Sequence, residues 1–195
     1  MQIRPANALD AQGMSNALDE IFAAGLRKNA GDPDWVLAHY IAHRNRIECS
    51  VAQDEDGRIL GFQSLRYATA DNLYGTPEGW GIIGTHVSPL AARRGVGSAL
   101  FRETLRAAEA FPVQNIEAAI GADNDMGLAY YEAMGFRTYR TSEGLVYKVY
   151  GIKTGGKIEI LWGYAVEKKS FYHRLRTRQD LSGIPLLGRK AEFLP

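Results

Sequence analysis

The stretch Thr85-His86-Val87-Ser88-Pro89-Leu90-Ala91-Ala92-Arg93-Arg94-Gly95-Val96-Gly97-Ser98-Ala99-Leu100 constrains this chain more than any other. It reads as a β-strand, a tight basic glycine turn and the first turn of a helix. A strand that feeds a helix through such a turn aims several backbone N–H groups at one point, beside the positive end of the helix dipole. The product is a cradle for a phosphate or pyrophosphate. Gly95 and Gly97 lack a Cβ, so the main chain can come close to an anion. Arg93 and Arg94 add charge at the rim.

Three kinds of anion loop compete for this segment. A nucleotide-triphosphate loop needs Lys and then Ser or Thr after its last glycine, and here Ser98 follows Gly97 directly. That reading fails. A dinucleotide loop wants a third glycine where Leu100 stands, and an acidic residue about 20 positions on. Asn115 and Glu117 lie near that distance, so this reading is weakened and stays open. The third is the acyl-CoA loop of the GCN5-related N-acetyltransferases. The strand, the Val-x-Pro step at Val87–Pro89 and the arginine–glycine turn closely resemble that family's.

A second motif, Asn124-Asp125-Met126-Gly127-Leu128-Ala129-Tyr130-Tyr131-Glu132-Ala133-Met134-Gly135-Phe136, points the same way. Seven residues make almost two helical turns, so Asn124 and Tyr131 share one face of a short helix. Gly135 stands where that helix should stop and Phe136 where the next strand begins. An Asn, a small residue three on, a Tyr seven on and a Gly-Phe pair are similar to the later signature of the same family. The two motifs stand in the family's order, with room between them for one helix and one strand.

The resemblance covers about residues 2–152. It implies a mixed, mostly antiparallel α/β (α+β) sheet of six to seven strands with helices on both faces, and acetyl-CoA as co-substrate. The strands flanking the glycine-loop helix would splay and admit the thioester arm. Cofactor contacts are implied for Val87, Arg93, Arg94, Gly95, Val96, Gly97, Ser98, Ala99, Asn124 and Tyr131. Among these, Asn124 would hold the pantetheine arm, and Tyr131 would lie near the sulfur as general acid. A backbone N–H near Val87 would polarise the carbonyl. Tyr130, about 100° round the helix, reads as a packing residue.

An ammonium must lose a proton before it attacks. Many relatives carry a Glu on the strand before the glycine loop, and its counterpart here reads as Gly81. The nearest titratable residues, His86 and Glu78, are the candidate bases. Ala92 stands where the family usually has Gln or Arg, which leaves Arg93 or Arg94 to take that part.

The local patterns fit this order. Asn7 with Asp10 reads as a capping box before an apolar stripe of Met14, Ala17, Leu18, Ile21 and Phe22. Asp32-Pro33 opens a second helix with Trp35, Leu37, Tyr40 and Ile41. Strands are expected near Ile3, at 47–53, 59–67, 80–87 and 116–120, and then at 136–141 and 145–152. Trp80, Tyr67 and Tyr74 flank a turn-rich loop at 69–79 and either shape the acceptor pocket or pack. His39 and His43, at i and i+4, have no third metal ligand nearby, so no metal is expected. Cys49 reads as a buried strand residue.

A chain of 195 residues with 46% hydrophobic residues can fold as one domain and bury roughly 70% of its unfolded surface. Its net charge of +1 argues against a general nucleic-acid binder. One cysteine, no leader-like N-terminus and no long apolar run lead us to expect a cytoplasmic protein without a membrane span.

Residues 153–195 differ, with nine Lys/Arg against four Asp/Glu. They form a basic extension of unknown role. Residues 158–162 could add a strand, residues 172–178 are basic and aromatic, and exchange of this arm in a homodimer is an option. The function expected of residues 1–152 is transfer of an acetyl group from acetyl-CoA to a primary amine of a small acceptor. The alternative is a CoA-binding sensor or structural module without turnover.

Overall fold

The computed structural model describes residues 1–152, so the expectations for 153–195 lie outside the described residues. Seven strands are formed: β1 (Gln2–Pro5), β2 (Arg46–Gln53), β3 (Ile59–Tyr67), β4 (Gly81–Val87), β5 (Asn115–Gly121), β6 (Arg137–Ser142) and β7 (Leu145–Gly151). They make one sheet in the order β1-β2-β3-β4-β5-β7-β6. Every pairing is antiparallel except β4 with β5. The helices are α1 (Ala11–Ala23), the short α2 (Pro33–Val36), α3 (Val96–Glu109) and α4 (Asp125–Ala133).

Period-two alternation sorts the strand residues onto two faces. Phe62 joins Cys49, Val51, Tyr40 and the α1 residues Met14, Leu18 and Ile21 in one core. Leu65 joins Ile83, Ile116 and Ala118 with Phe101 of α3 and Tyr131 of α4 in the other. We call these the α1 face and the α3 face.

The caps form as their residues dictate. The Asp10 carboxylate accepts from the Asn7 N–H at 2.9 Å and the Asn7 side chain accepts from Leu9 N–H at 2.9 Å. This sets a 3-10 turn, Ala8–Asp10, ahead of α1. Asp32 caps α2 by accepting from Trp35 N–H, with Pro33 at its first position.

The second helix departs from the sequence pattern. After one α turn it widens into a π-helical segment, Leu37–Ile41, closed by Ala42 N–H donating to Leu37 C=O at 2.7 Å. The apolar spacing of Trp35, Leu37, Tyr40 and Ile41 suits either winding. Burial of both Tyr40 and Ile41 against the sheet accompanies the wider one.

Candidate active site

β4 and β5 pair at only two positions, Gly81 with Ile116 and Ile82 with Glu117. Beyond them the strands part, and the remainder of β4 faces a gap. Two helices aim their ends at it.

The first is α3. Ser88 is fully buried, accepts from Leu90 N–H and donates to the Glu20 carboxylate, which ties the turn after β4 to α1. The turn then passes through two left-handed residues, Arg93 (φ 60°) and Gly95 (φ 74°). Among the described residues Arg93 is the one non-glycine with positive φ, an uncommon conformation that the loop imposes. Gly95 is the N-cap and supplies no side-chain cap. The first rung of the ladder is Ala99 N–H to Gly95 C=O at 3.0 Å. The amides of Val96, Gly97 and Ser98 therefore precede the ladder and remain for a ligand. Ala99 differs from the sequence expectation, because its N–H is spent in the helix and its side chain is buried.

Gly97 also serves a second purpose. A Cβ built there would lie 2.7 Å from the Tyr130 ring, so the glycine is what lets α4 press against the start of α3. Tyr130 is correspondingly more than packing. Its hydroxyl donates to Gly97 C=O at 3.0 Å.

The second helix is α4. Asn124 is its N-cap, with Oδ1 accepting from Gly127 N–H at 2.8 Å, which leaves the amide nitrogen as its donor. The other end closes on Gly135 at φ 97°. There Phe136 N–H donates to Tyr131 C=O and Gly135 N–H to Glu132 C=O. This paired closure fixes Tyr131 in the last turn, with its ring against Phe136 at 5.0 Å. The Tyr131 hydroxyl is 2.9 Å from Thr85 Oγ1, on the part of β4 that has left β5. Burial pushes the phenol's pKa up, and hydrogen bonds from the Thr85 side chain and backbone oppose that.

The candidate bases fall elsewhere. His86 is on the α1 face, tilted on Phe62 at 4.7 Å, with Nε2 2.9 Å from the Tyr40 hydroxyl. Burial first, then the charges of Arg27 and Arg66 and the neighbouring His39, push its pKa down to about 3. It is a neutral ring at ordinary pH and a weak base. Glu78 is exposed on the loop between β3 and β4. Gly81 is the β4 position that the sequence reading matched to a Glu. A Cβ there would lie 2.8 Å from Leu65 Cδ1 and 3.4 Å from Ile116, inside the apolar core and away from the gap.

Around His86 the α1 face is cationic and aromatic. Trp35 stacks on His39 at 4.2 Å, Arg27 lies over Trp35 at 5.4 Å, and Arg66 Nη1 is 3.3 Å from His39 Nε2. Among the described residues neither Arg27 nor Arg66 forms an ion pair with a carboxylate. Of the three aromatics read from the sequence, Tyr67 packs on Phe111 and Trp80 on Tyr139, while the Tyr74 N–H donates to Asn72 Oδ1 at 3.2 Å within the loop. Cys49 is buried and its thiol pKa is pushed up to about 12, which makes it unreactive. His39 and His43 meet edge to face at 6.1 Å. No group of three or more His, Cys, Asp or Glu placed to hold a metal occurs among the described residues.

Two clusters are not read from the sequence, although Glu117 of the second is weighed there as the acidic residue of a dinucleotide site. Gln63, fully buried on β3, donates to Thr85 Oγ1 at 2.7 Å and to the Tyr130 hydroxyl at 3.1 Å, and accepts from Thr104. Glu117, buried on β5, accepts from Thr76 at 2.5 Å, from Tyr139 and from Arg140, whose guanidinium also reaches Tyr74 C=O at 2.8 Å. It anchors the 69–79 loop at the end where β4 and β5 still pair. Both start as polar residues on strands whose partners are far off in sequence, and no local pattern marks them.

Residues 15–136 match the family model described as the acetyltransferase (GNAT) family. The phosphinothricin N-acetyltransferase of Streptomyces viridochromogenes is 27% identical over 152 residues, which is 76% of this chain and 80% of that protein. Among solved structures, a phosphinothricin acetyltransferase from Sinorhizobium meliloti in complex with acetyl-CoA superposes with a TM-score of 0.63. It is 18% identical, over 81% of this chain and 91% of that one. A GCN5-related N-acetyltransferase from Kribbella flavida gives 0.62 at 23% identity, over 77% and 96%. No helix of the described residues is long and apolar enough to cross a membrane. With the family model spanning well over half of its residues and the parted strands of its sheet as described, this chain belongs to the acetyltransferase (GNAT) family.

Proposed function

We propose that residues 1–152 transfer the acetyl group of acetyl-CoA directly to the primary amine of a small acceptor. One observation carries the reading. The Tyr131 hydroxyl stands at Thr85 in the gap between β4 and β5, beside the uncapped start of α3. The donor set suits acetyl-CoA: Val96, Gly97 and Ser98 amides with Arg93 or Arg94 for the diphosphate, and the Asn124 amide nitrogen for a pantetheine carbonyl. When bound, that molecule supplies the activated acyl thioester.

The protein's own groups do the rest. A β4 amide near Val87 polarises the carbonyl. Tyr131 holds the proton that the departing sulfur takes. The amine comes from the α1 face, and its proton leaves to His86, Glu78 or water. Arg27 and Arg66, which have no carboxylate partner among the described residues, favour an acceptor that bears an anionic group beside its amine.

The test is release of free thiol from acetyl-CoA across a panel of small amines with and without a carboxylate. Amine-dependent release that is faster for the anionic acceptors is the expected result. Tight acetyl-CoA binding with no release for any amine would overturn it in favour of a sensor. Displacement of CoA by NAD at similar concentration would return the glycine loop to a dinucleotide.

A further inference from the structure

The hydrogen-bond directions around Gln63 are determined by one atom that has no proton to give. The Gly97 carbonyl can only accept, so the Tyr130 hydroxyl spends its proton there. Tyr130 can then only accept from Gln63, which requires the Gln63 NH2 to face it. The same NH2 donates its second proton to Thr85 Oγ1, and the Gln63 carbonyl oxygen takes the Thr104 proton. Every bond in this buried set is satisfied, and no member is ionisable near neutral pH.

The consequence falls on Thr85. With one lone pair filled by Gln63, its hydroxyl has a proton to place, and the Tyr131 oxygen lies 2.9 Å away. If Thr85 donates to Tyr131, the phenol's own proton is left pointing into the gap. If Tyr131 donated to Thr85 instead, that proton would be turned away from the gap.

The geometry points to Gln63 and Thr85 as positioning residues that direct the Tyr131 proton into the gap, with the direction set by the Gly97 carbonyl of the glycine turn. This rests on the transferase reading above, with Tyr131 as its acid. Proton transfer breaks the Tyr131 O–H bond, forms an S–H bond on the leaving group and leaves a phenolate that the Thr85 hydroxyl stabilises. The bond donated by Thr85 strengthens as negative charge grows on Tyr131, so it favours the transition state over the ground state. One residue, Gly97, thus belongs both to the anion cradle, through its N–H, and to this chain of bonds, through its C=O.

The experiment is a double-mutant cycle in amine-dependent thiol release. Thr85→Val should lower kcat about 5- to 10-fold, the size of one ordinary hydrogen bond, with KM for acetyl-CoA unchanged. Thr85→Ser should restore the rate. Gln63→Leu should act in the same direction, and Tyr130→Phe, which keeps the ring but frees the Gln63 amide to turn, should do so more weakly. In a Tyr131→Phe background Thr85→Val should have less than a twofold effect. Equal losses in both backgrounds, or a loss seen in KM alone, would overturn the proposal. Exchange of the Gln63 side-chain amide protons with water gives a readout independent of turnover. Both protons should be protected in the wild type, and one should lose protection in Tyr130→Phe; free exchange of both in the wild type would refute the bond directions. Absence of thiol release by the wild type with every amine would instead remove the transferase reading, and this role with it.

Discussion

On the α3 face, one chain of hydrogen bonds runs to the parting of β4 and β5: Gly97 C=O to Tyr130, Tyr130 to Gln63, Gln63 to Thr85, Thr85 to Tyr131. On the α1 face the groups are charged or chargeable and have no carboxylate ion-pair partner among the described residues, with Arg27 and Arg66 around His39 and His86. The first arrangement is closed and satisfied, as suits a surface that must hold one cofactor and one proton in a fixed geometry. The second has unmet demand for negative charge, as suits a surface that waits for a variable guest. A single strand, β4, separates them, with Thr85 on one side and His86 on the other.

The comparison can be broken at several points. The largest effect should come from Gly97→Asp, which puts a side chain into the Tyr130 ring and a like charge beside the cradle. Affinity for acetyl-CoA measured by calorimetry should fall by roughly 100-fold or more, the size of one or two charge-assisted contacts. Tight binding in that variant would dissolve the α3-face assignment. Gly97→Ala isolates the steric part and should cost about 1–3 kcal/mol of stability through overpacking.

Next is Tyr131→Phe, expected to lower turnover about 10²–10³-fold while acetyl-CoA affinity holds; full activity would take Tyr131 out of the mechanism. On the other face, Arg66→Gln should raise KM for anionic acceptors about 10-fold and leave KM for acetyl-CoA alone. An equal rise for neutral acceptors would make Arg66 a packing residue.

The smallest effect concerns pH. His39 and His86 have folded pKa values of about 3, below the unfolded value near 6.5. Between those limits the unfolded chain binds more protons, so stability is full above pH 6.5 and falls as the pH drops. Each histidine contributes at most about 1.4 kcal/mol per pH unit, less for their partial exposure. A melting temperature tracked from pH 7.5 to 5 should show this decline, with a shallower slope in His86→Gln. A flat profile would mean that the α1 face is better solvated than its geometry implies.

The division between what the sequence reveals and what it hides follows the range of the forces involved. The Asn7–Asp10 box, the Asp32–Pro33 start and the Gly135 stop act over a few residues, and each was legible in place. So was the parting of β4 and β5, but only through resemblance, since nothing in residues 81–87 alone announces it. Gln63 was invisible, and Glu117 stood out only for its distance from the glycine turn, not for the hub it forms with Thr76 and Arg140. A polar residue on a strand ordinarily faces water, and the burial of these two depends on partners 22 to 67 residues away. Gly97 was legible as a glycine but for an incomplete reason. Its contact with Tyr130 needs the packing of α3 on α4, and a single chain of letters does not carry that. The π turn at Leu37–Ile41 was hidden because the apolar spacing of Trp35, Leu37, Tyr40 and Ile41 suits either winding.

Glu117 has a further consequence. Past Ile82 no backbone ladder holds the two halves of the sheet together. Thr76, Tyr139 and Arg140 converge on that carboxylate like spokes on a hub, and Arg140 also grips the Tyr74 carbonyl. The foot of the loop is bolted down, while its tip, with Leu73 bare to solvent, carries no such duty. Changes at the tip can therefore accumulate without loosening the hinge end from which the two strands diverge.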